Sequence, residues 1–200
     1  MNTARTDQLI DTYRQATGSL GVGLSVWGRP VAASDSASAA FDAAQFVCGQ
    51  GPSLDAQQTN RLIEVHDTAY GTDEWAFLTE AHGTWPAPSL LAVPIGAGSA
   101  VGTLTLHRSR SGALSDSQHL AALACADHVA AWLLASLDTQ PLADMGHFDH
   151  VACATGIVMG QTGLDAEDAT AIIRAHTYSG HLDLATTLDD IIGLRLTLNR

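Results

Sequence analysis

The run 89-SLLAVPIGAGSAVGTLTLHRS-109 sets the architecture of this chain. Two apolar segments, 89-SLLAVPI-95 and 101-VGTLTLHRS-109, flank the glycine-rich link 96-GAGSA-100. Such a link between aliphatic and β-branched runs reads as a turn joining two antiparallel strands. Upstream, 21-GVGLSVWG-28 and 30-PVAASD-35 read as a hairpin turning at Gly28-Arg29-Pro30, and 61-RLIEVHD-67 supplies a fifth strand. Helices are expected around these strands. Leu9, Ile10, Tyr13 and Ala16 recur at helical spacing within 5-RTDQLIDTYRQAT-17. The small-residue stretch 36-SASAAFDAAQF-46 is a second helix, and 73-DEWAFLTEAHG-83 a third, stopped by Gly83. Between them, 48-CGQGPSLDAQQT-59 reads as a loop able to close over a ligand, ending in a polar helical turn.

Downstream of the strands, 115-SDSQHLAALACADHVAAWLLAS-136 opens with Ser115 and, three residues on, Gln118, the pattern of a capping box. Leu123, Ala126, Ala130, Leu133 and Leu137 fall at heptad a and d spacing, and Leu120, Ala124, Ala131 and Leu134 mark a second apolar face. One face is expected to pack on the sheet and the a/d row to form a homodimer.

A composition break at 138-DTQPLADMGHF-148, where Pro141 and Gly146 interrupt the pattern, divides the chain into residues 1–140 and 141–200. Three short amphipathic helices follow, over about 148–160, 166–178 and 184–198. Ala169, Ile172, Ile173 and His176 share one face of the second, and Leu184, Leu188, Ile191 and Leu198 align in the third. Three such helices can bury one common core. The fold class is therefore α+β, an antiparallel sheet with flanking helices followed by a small all-α unit.

Composition narrows the function. With 46% hydrophobic and 15% charged residues the chain can build a core. Its net charge of −12 opposes indiscriminate nucleic-acid binding, so any such site must be local. No run is long and apolar enough to span a bilayer, and MNTARTDQLIDTYRQ lacks the apolar centre of a signal peptide. A cytoplasmic protein with no membrane contact is expected. Cys48, Cys125 and Cys153 are widely spaced without a CxxC pair and read as buried thiols.

Taken together, the two halves resemble known modules. The N-terminal part resembles a GAF domain, through the helix, the hairpin, the loop GQGPSLDA, the strand RLIEVHD and the closing strands LLAVPIGAGSAVGTLTLH. Gln50 and Ser53 stand where glutamate and cysteine are common in actinobacterial regulators of this kind, so no redox role carries over to the loop. The C-terminal part is similar to an ANTAR domain, the three-helix RNA-binding module of transcription antitermination regulators, through 154-ATGIVM-159, the Gly163 turn and 169-ATAIIRAHTY-178. Cys153, Thr155, Thr177 and Leu188 depart from that pattern. The resemblance implies a signal-responsive antitermination regulator, in which a dimer of GAF sensors presents two RNA-hairpin-binding tails. The alternative is a sensor or scaffold that acts through protein contact, its tail having lost RNA binding.

For RNA, the candidates are Ala154, Thr155 and Gly156, small enough for close approach, with Arg174 and Arg195 for phosphate and Tyr178 for stacking on an unpaired base. Against this, residues 141–200 carry three arginines and eight acids, a net of 3 − 8 = −5. On residue chemistry alone the alanines equally serve helix packing, with Tyr178 in the core and Arg174 a solvated charge. A small-molecule or protein signal is expected at the sensor, in a pocket lined by Trp75, Phe77 and Trp85. The spacing of His147 and His150 beside Asp149 admits a metal pair, but solvated histidines are the simpler reading. His66 and Asp67 are read as a strand-end polar pair. No nucleophile and base, or paired acid and base, stand in a local motif, and two cysteines in the sensor are too few for a thiol-dependent reductase. A non-enzymatic protein without metal or cofactor is expected.

Overall fold

The computed structural model describes residues 3–70, 72–96, 98–139 and 147–198. Five strands, β1 (Gly21–Val26), β2 (Arg29–Ala33), β3 (Ile63–Val65), β4 (Ser89–Ile95) and β5 (Gly102–Arg108), form one sheet in the order β2-β1-β5-β4-β3. Every pairing is antiparallel. The central β4–β5 hairpin runs in register from Ser89 opposite Arg108 to Ile95 opposite Gly102. The first hairpin turns one residue earlier than expected. Val26 pairs with Arg29, which leaves Trp27 and Gly28 as a two-residue turn with φ of 48° and 71°. Both central residues of such a turn need positive φ. Pro30 falls inside β2, where it is tolerated because β2 is an edge strand.

Alternation along the strands separates two layers. Val22, Leu24, Val26, Leu91, Val93, Ile95, Leu104 and Leu106 form one core with Ile10 and Tyr13 of α1 (Thr3–Thr17) and with α5 (Asp116–Thr139). Tyr13 ties these helices together by hydrogen bonding His128 Nδ1 at 3.1 Å. The capping box forms: Ser115 N–H donates to Gln118 Oε1 at 2.9 Å, and Gln118 N–H points back at Ser115 Oγ at 3.4 Å.

The strip of α5 that faces the sheet is Ala122, Cys125, Ala126, Val129 and Leu133. This corrects the expected dimer row. Ala126 and Leu133 are already buried within the protomer, Ala130 is half-buried and only Leu123 is exposed. The side chain of Leu137 lies outside the described residues. The unpartnered apolar face is instead Leu120, Leu123 and Leu134, the first and last being 67% and 66% exposed.

The opposite sheet face carries α2 (Ser36–Cys48), α3 (Pro52–Thr59), a single 3-10 turn (Asp73–Trp75) and α4 (Ala76–His82). The segment expected as a closing loop is mostly helix, because Pro52 stands at its first turn, where the missing N–H costs nothing.

In the tail, α6 (His147–Thr162), α7 (Ala166–Ser179) and α8 (Leu184–Ile192) surround a core of Val151, Ala154, Val158, Ala169, Ile173, Leu184, Leu188, Ile191 and Leu198. The last helix is shorter than its pattern predicts. After Ile192 the chain turns at Leu194, with φ of 56°, and Arg195 folds back to bond Asp190 Oδ1 at 2.7 Å and the Asp189 carbonyl at 3.1 Å. Leu198 still returns to the core. One buried side chain of that core, Phe46, belongs to α2, with Ala43 and Val47 packed beside it. The expected boundary between residues 140 and 141 lies outside the described residues.

Candidate functional site

Helix α2 holds two sites on two faces. Toward the sheet it turns Asp35, its N-cap, then Ser38, Asp42 and Gln45, at helical spacings of three and four. These polar groups fit because β1 places Gly21 and Gly23 beneath them. A β-carbon at Gly21 would meet Ser38 Oγ and Asp35 Oδ2, and one at Gly23 would meet the Asp42 carboxylate. Gly21 pairs with His107 and Gly23 with Thr105 across the sheet, so Asp42, Thr105 and His107 belong to one buried polar seam.

The loop GQGPSLDA braces that seam. Gln45 donates to Asp42 Oδ1 at 3.0 Å and accepts from both the N–H and the hydroxyl of Ser53 at 2.8 Å. Thr103 donates to the Ser53 carbonyl at 2.8 Å. Gly51, with φ of 145°, leaves the space that the Gln45 amide fills. Gln50 accepts from Phe77 N–H at 2.9 Å, capping the start of α4, and Asp55 accepts from Trp75 Nε1 at 2.8 Å. The motif is a cross-brace tying α2, α3, α4 and β5 together.

Four residues around this region keep buried polar atoms that no protein group satisfies: Asp42 Oδ2, Thr105 Oγ1, both ring nitrogens of His107, and Trp85 Nε1. Unpaired buried donors and acceptors are costly, so they mark polar capacity in the interior. Burial pushes the Asp42 carboxyl up to about 7, with the Gln45 amide pulling the other way. Burial drives His107 down to about 4, opposed by the Asp35 carboxylate and reinforced by His82. Both groups thus lean to their neutral forms, as low-dielectric surroundings dictate.

Beside the seam sits an aromatic cluster. Phe41 lies 4.9 Å from Trp85, 5.2 Å from His82 and 5.4 Å from His107 between ring centroids, and Trp75 lies 5.8 Å from Trp85. Trp75 and Trp85 are therefore together, as the sequence suggests, but they pack ring against ring. Phe77 departs from the expected lining. It is 55% exposed and turns its ring to the tail, since the preceding Trp75 and following Leu78 take the inward positions of that turn and helix.

The second face of α2 carries the tail. The Arg174 guanidinium lies 4.6 Å over the Phe46 ring centre, and Tyr178 meets Phe77 edge-on at 6.2 Å. Arg174 Nε is buried without a hydrogen-bond partner, and among the described residues no carboxylate pairs with this side chain. Burial, and next the charge of Arg29, shift Arg174 downward. The Tyr178 hydroxyl is pushed up by desolvation and then by Glu80 and Cys48. Cys48 donates to the Phe77 carbonyl at 3.6 Å, so it stands at the same junction.

Of the remaining tail candidates, Ala154 and Thr155 are buried, Thr155 donating back to the Val151 carbonyl at 2.7 Å and lying 3.4 Å from the Thr170 hydroxyl. They pack α6 on α7 and are not on the surface expected of an RNA contact. Gly156 is exposed. Arg195 is exposed and bonded to Asp190. The side chains of His147 and Asp149 lie outside the described residues, while His150 approaches Asp189 at 3.4 Å. His66 lies 3.5 Å from Glu64, and Asp67 accepts from Ala69 N–H at 3.0 Å, a turn contact. Among the described residues no group of three metal-ligating side chains converges, and no helix is long and apolar enough to cross a membrane. Of the three thiols, only Cys125 is buried; Cys48 is half-buried and Cys153 exposed.

Asp42, Gln45, Phe46 and His107 escaped notice in the sequence. For Asp42 and Gln45 the signal was present as a polar stripe on a helix opposite a Gly-x-Gly strand.

No protein-family model and no curated protein matches the chain. Solved structures similar to it include a domain named for a two-component sensor histidine kinase protein of Sinorhizobium meliloti 1021, with a TM-score of 0.48 and 17% identity over 67% of this chain and 91% of that one. Another is the GAF domain of Acinetobacter phosphoenolpyruvate-protein phosphotransferase, with a TM-score of 0.47 and 8% identity over 66% and 82%. A third is the type II free methionine-R-sulfoxide reductase of Thermoplasma acidophilum, with a TM-score of 0.45 and 14% identity over 64% and 89%.

Proposed function

We propose that this protein is a non-enzymatic, signal-responsive transcription antitermination regulator of the cytoplasm. A GAF-like sensor controls an ANTAR-like tail that binds RNA hairpins, and a homodimer presents two such tails. Arg174 is the observation that carries the RNA reading. In a chain of net charge −12, a guanidinium on α7 pairs with no carboxylate among the described residues and rests on an aromatic ring. A guanidinium without a carboxylate keeps its planar donors for a phosphate. The signal is assigned to the seam of Asp42, Thr105, His107 and Trp85, whose unsatisfied polar atoms suit a small polar molecule better than an anion. Dimerisation is assigned to Leu120, Leu123 and Leu134 of α5.

Selection by the full-length chain from a pool of RNA hairpins with randomised loops tests this reading. Enrichment of a loop sequence supports it, and recovery of no hairpin above background at low salt rejects it. The second reading, a scaffold acting through protein contact, is favoured by one observation: Ala154 and Thr155 are spent on packing and Arg195 on Asp190.

A further inference from the structure

Resting on the RNA reading, we infer that this structure is a closed state, in which α2 and α4 occupy the tail surface that RNA would take. The argument lies in what Arg174 and Tyr178 touch. Arg174, suited to phosphate, faces the negative π-cloud of Phe46. Tyr178, suited to stack on a base, meets the ring edge of Phe77. Both partners come from the sensor, one from α2 and one from α4, and each supplies a weaker version of what RNA offers.

The two contacts differ in how firmly they hold. Phe46 is fully buried in the tail core, whereas Phe77 stays more than half exposed. The outer contact is therefore the latch that opens first, and the Arg174–Phe46 contact gives way after it. Nor is the Arg174 side satisfied: its Nε has no partner, and the nearby charge of Arg29 repels it. A phosphate relieves both defects, so hairpin binding and closure compete for the same side chains. Helix α2 also links the Arg174 contact to the signal site, since Asp42 and Gln45 face the seam while Ala43, Phe46 and Val47 face the tail. A shift of α2 caused at the seam changes the seat of α7.

The experiment uses the full-length chain and its Phe77→Ala variant, with the selected hairpin as probe. Hydrogen exchange over residues 172–179 reports release of α7, and exchange over β4 and β5 reports that the sensor stays folded. Alkylation of Cys48, read by mass spectrometry, reports opening of the junction in the wild type. Phe77→Ala is expected to raise exchange in α7 alone and to tighten hairpin binding about tenfold, since a closed population lowers apparent affinity by its own excess. Hairpin is expected to accelerate Cys48 alkylation in the wild type. Faster exchange in α7 with unchanged hairpin affinity would overturn the closed state while leaving RNA binding in place. Unchanged exchange in the variant would overturn the latch. Failure of both proteins to bind any hairpin would overturn the RNA reading and the competition with it.

Discussion

Arg174 of α7 lies over Phe46 of α2, 4.6 Å from its ring centre, so a residue expected at an RNA surface is also part of the joint between the two halves. Removing it has a stability effect separable from any effect on RNA. Partly desolvated cation–π contacts contribute about 0.5 to 2 kcal/mol. Arg174→Ala is expected to lower unfolding free energy by about 1 kcal/mol, read from denaturant midpoints. Arg174→Lys keeps the charge but loses the flat stack, and should recover only part of that loss.

The close approach of Asp42 to Gly23 gives a second test. Gly23→Ala puts a β-carbon where the Asp42 carboxylate sits, and that carboxylate is buried and held by the Gln45 amide. Overpacking of this kind costs about 1 to 3 kcal/mol. Gly18→Ala serves as a control: its φ of 62° strains any side chain, but no atom stands within 4 Å. Gly23→Ala should be clearly the worse of the two in urea denaturation.

Asp42 and His107 make opposing contributions to stability as pH changes. Asp42 rises to about 7 on folding, from an unfolded value near 4. The folded state then holds the extra proton between about pH 4 and 7, and stability falls as pH rises through that window. His107 falls to about 4 on folding, from near 6.5 unfolded. There the unfolded state holds the extra proton, so stability climbs between about pH 4 and 6.5. Wild type is expected to be nearly flat over this range. Asp42→Asn should unmask a rising profile and His107→Gln a falling one, in urea titrations at half-unit pH steps; parallel profiles would refute the assignment.

On α5, neighbouring leucines should give different outcomes. Leu134 is exposed and Leu133 faces the sheet. Leu134→Glu is expected to leave a folded monomer in sedimentation, because it charges the outer face alone. Leu133→Glu should instead unfold the protein, as a carboxylate placed in the sheet core would have no partner. A wild type that sediments as a monomer at tens of micromolar removes the proposed dimer.

Much of the fold was legible because its signals are local. The β4–β5 pairing, the Gly83 stop and the Ser115–Gln118 cap each depend on residues close in sequence, and all three form as expected. The first hairpin was misplaced by one residue because Gly28-Arg29-Pro30 looks like a turn, while pairing across the sheet selected Trp27-Gly28. The site was harder to see. Trp75 and Trp85 come together, but Phe77 points away because Trp75 and Leu78 take the inward positions. The polar seam depends on Gly21 and Gly23 facing a helix that starts more than ten residues later. Nothing in the spacing of either half showed that Phe46 would enter the tail core.

The most direct measurement of the central claim is hairpin binding by the full-length chain, followed by fluorescence anisotropy across a salt series, with Arg174→Ala beside the wild type. Few phosphate contacts mean a shallow salt slope, about 0.7 per phosphate for single strands. The expected result is specific binding with a slope of about one to three phosphates per tail, and loss of roughly one of them in a folded Arg174→Ala protein. No binding at any salt, or binding untouched by Arg174→Ala, would contradict it and leave the tail as a protein-contact module.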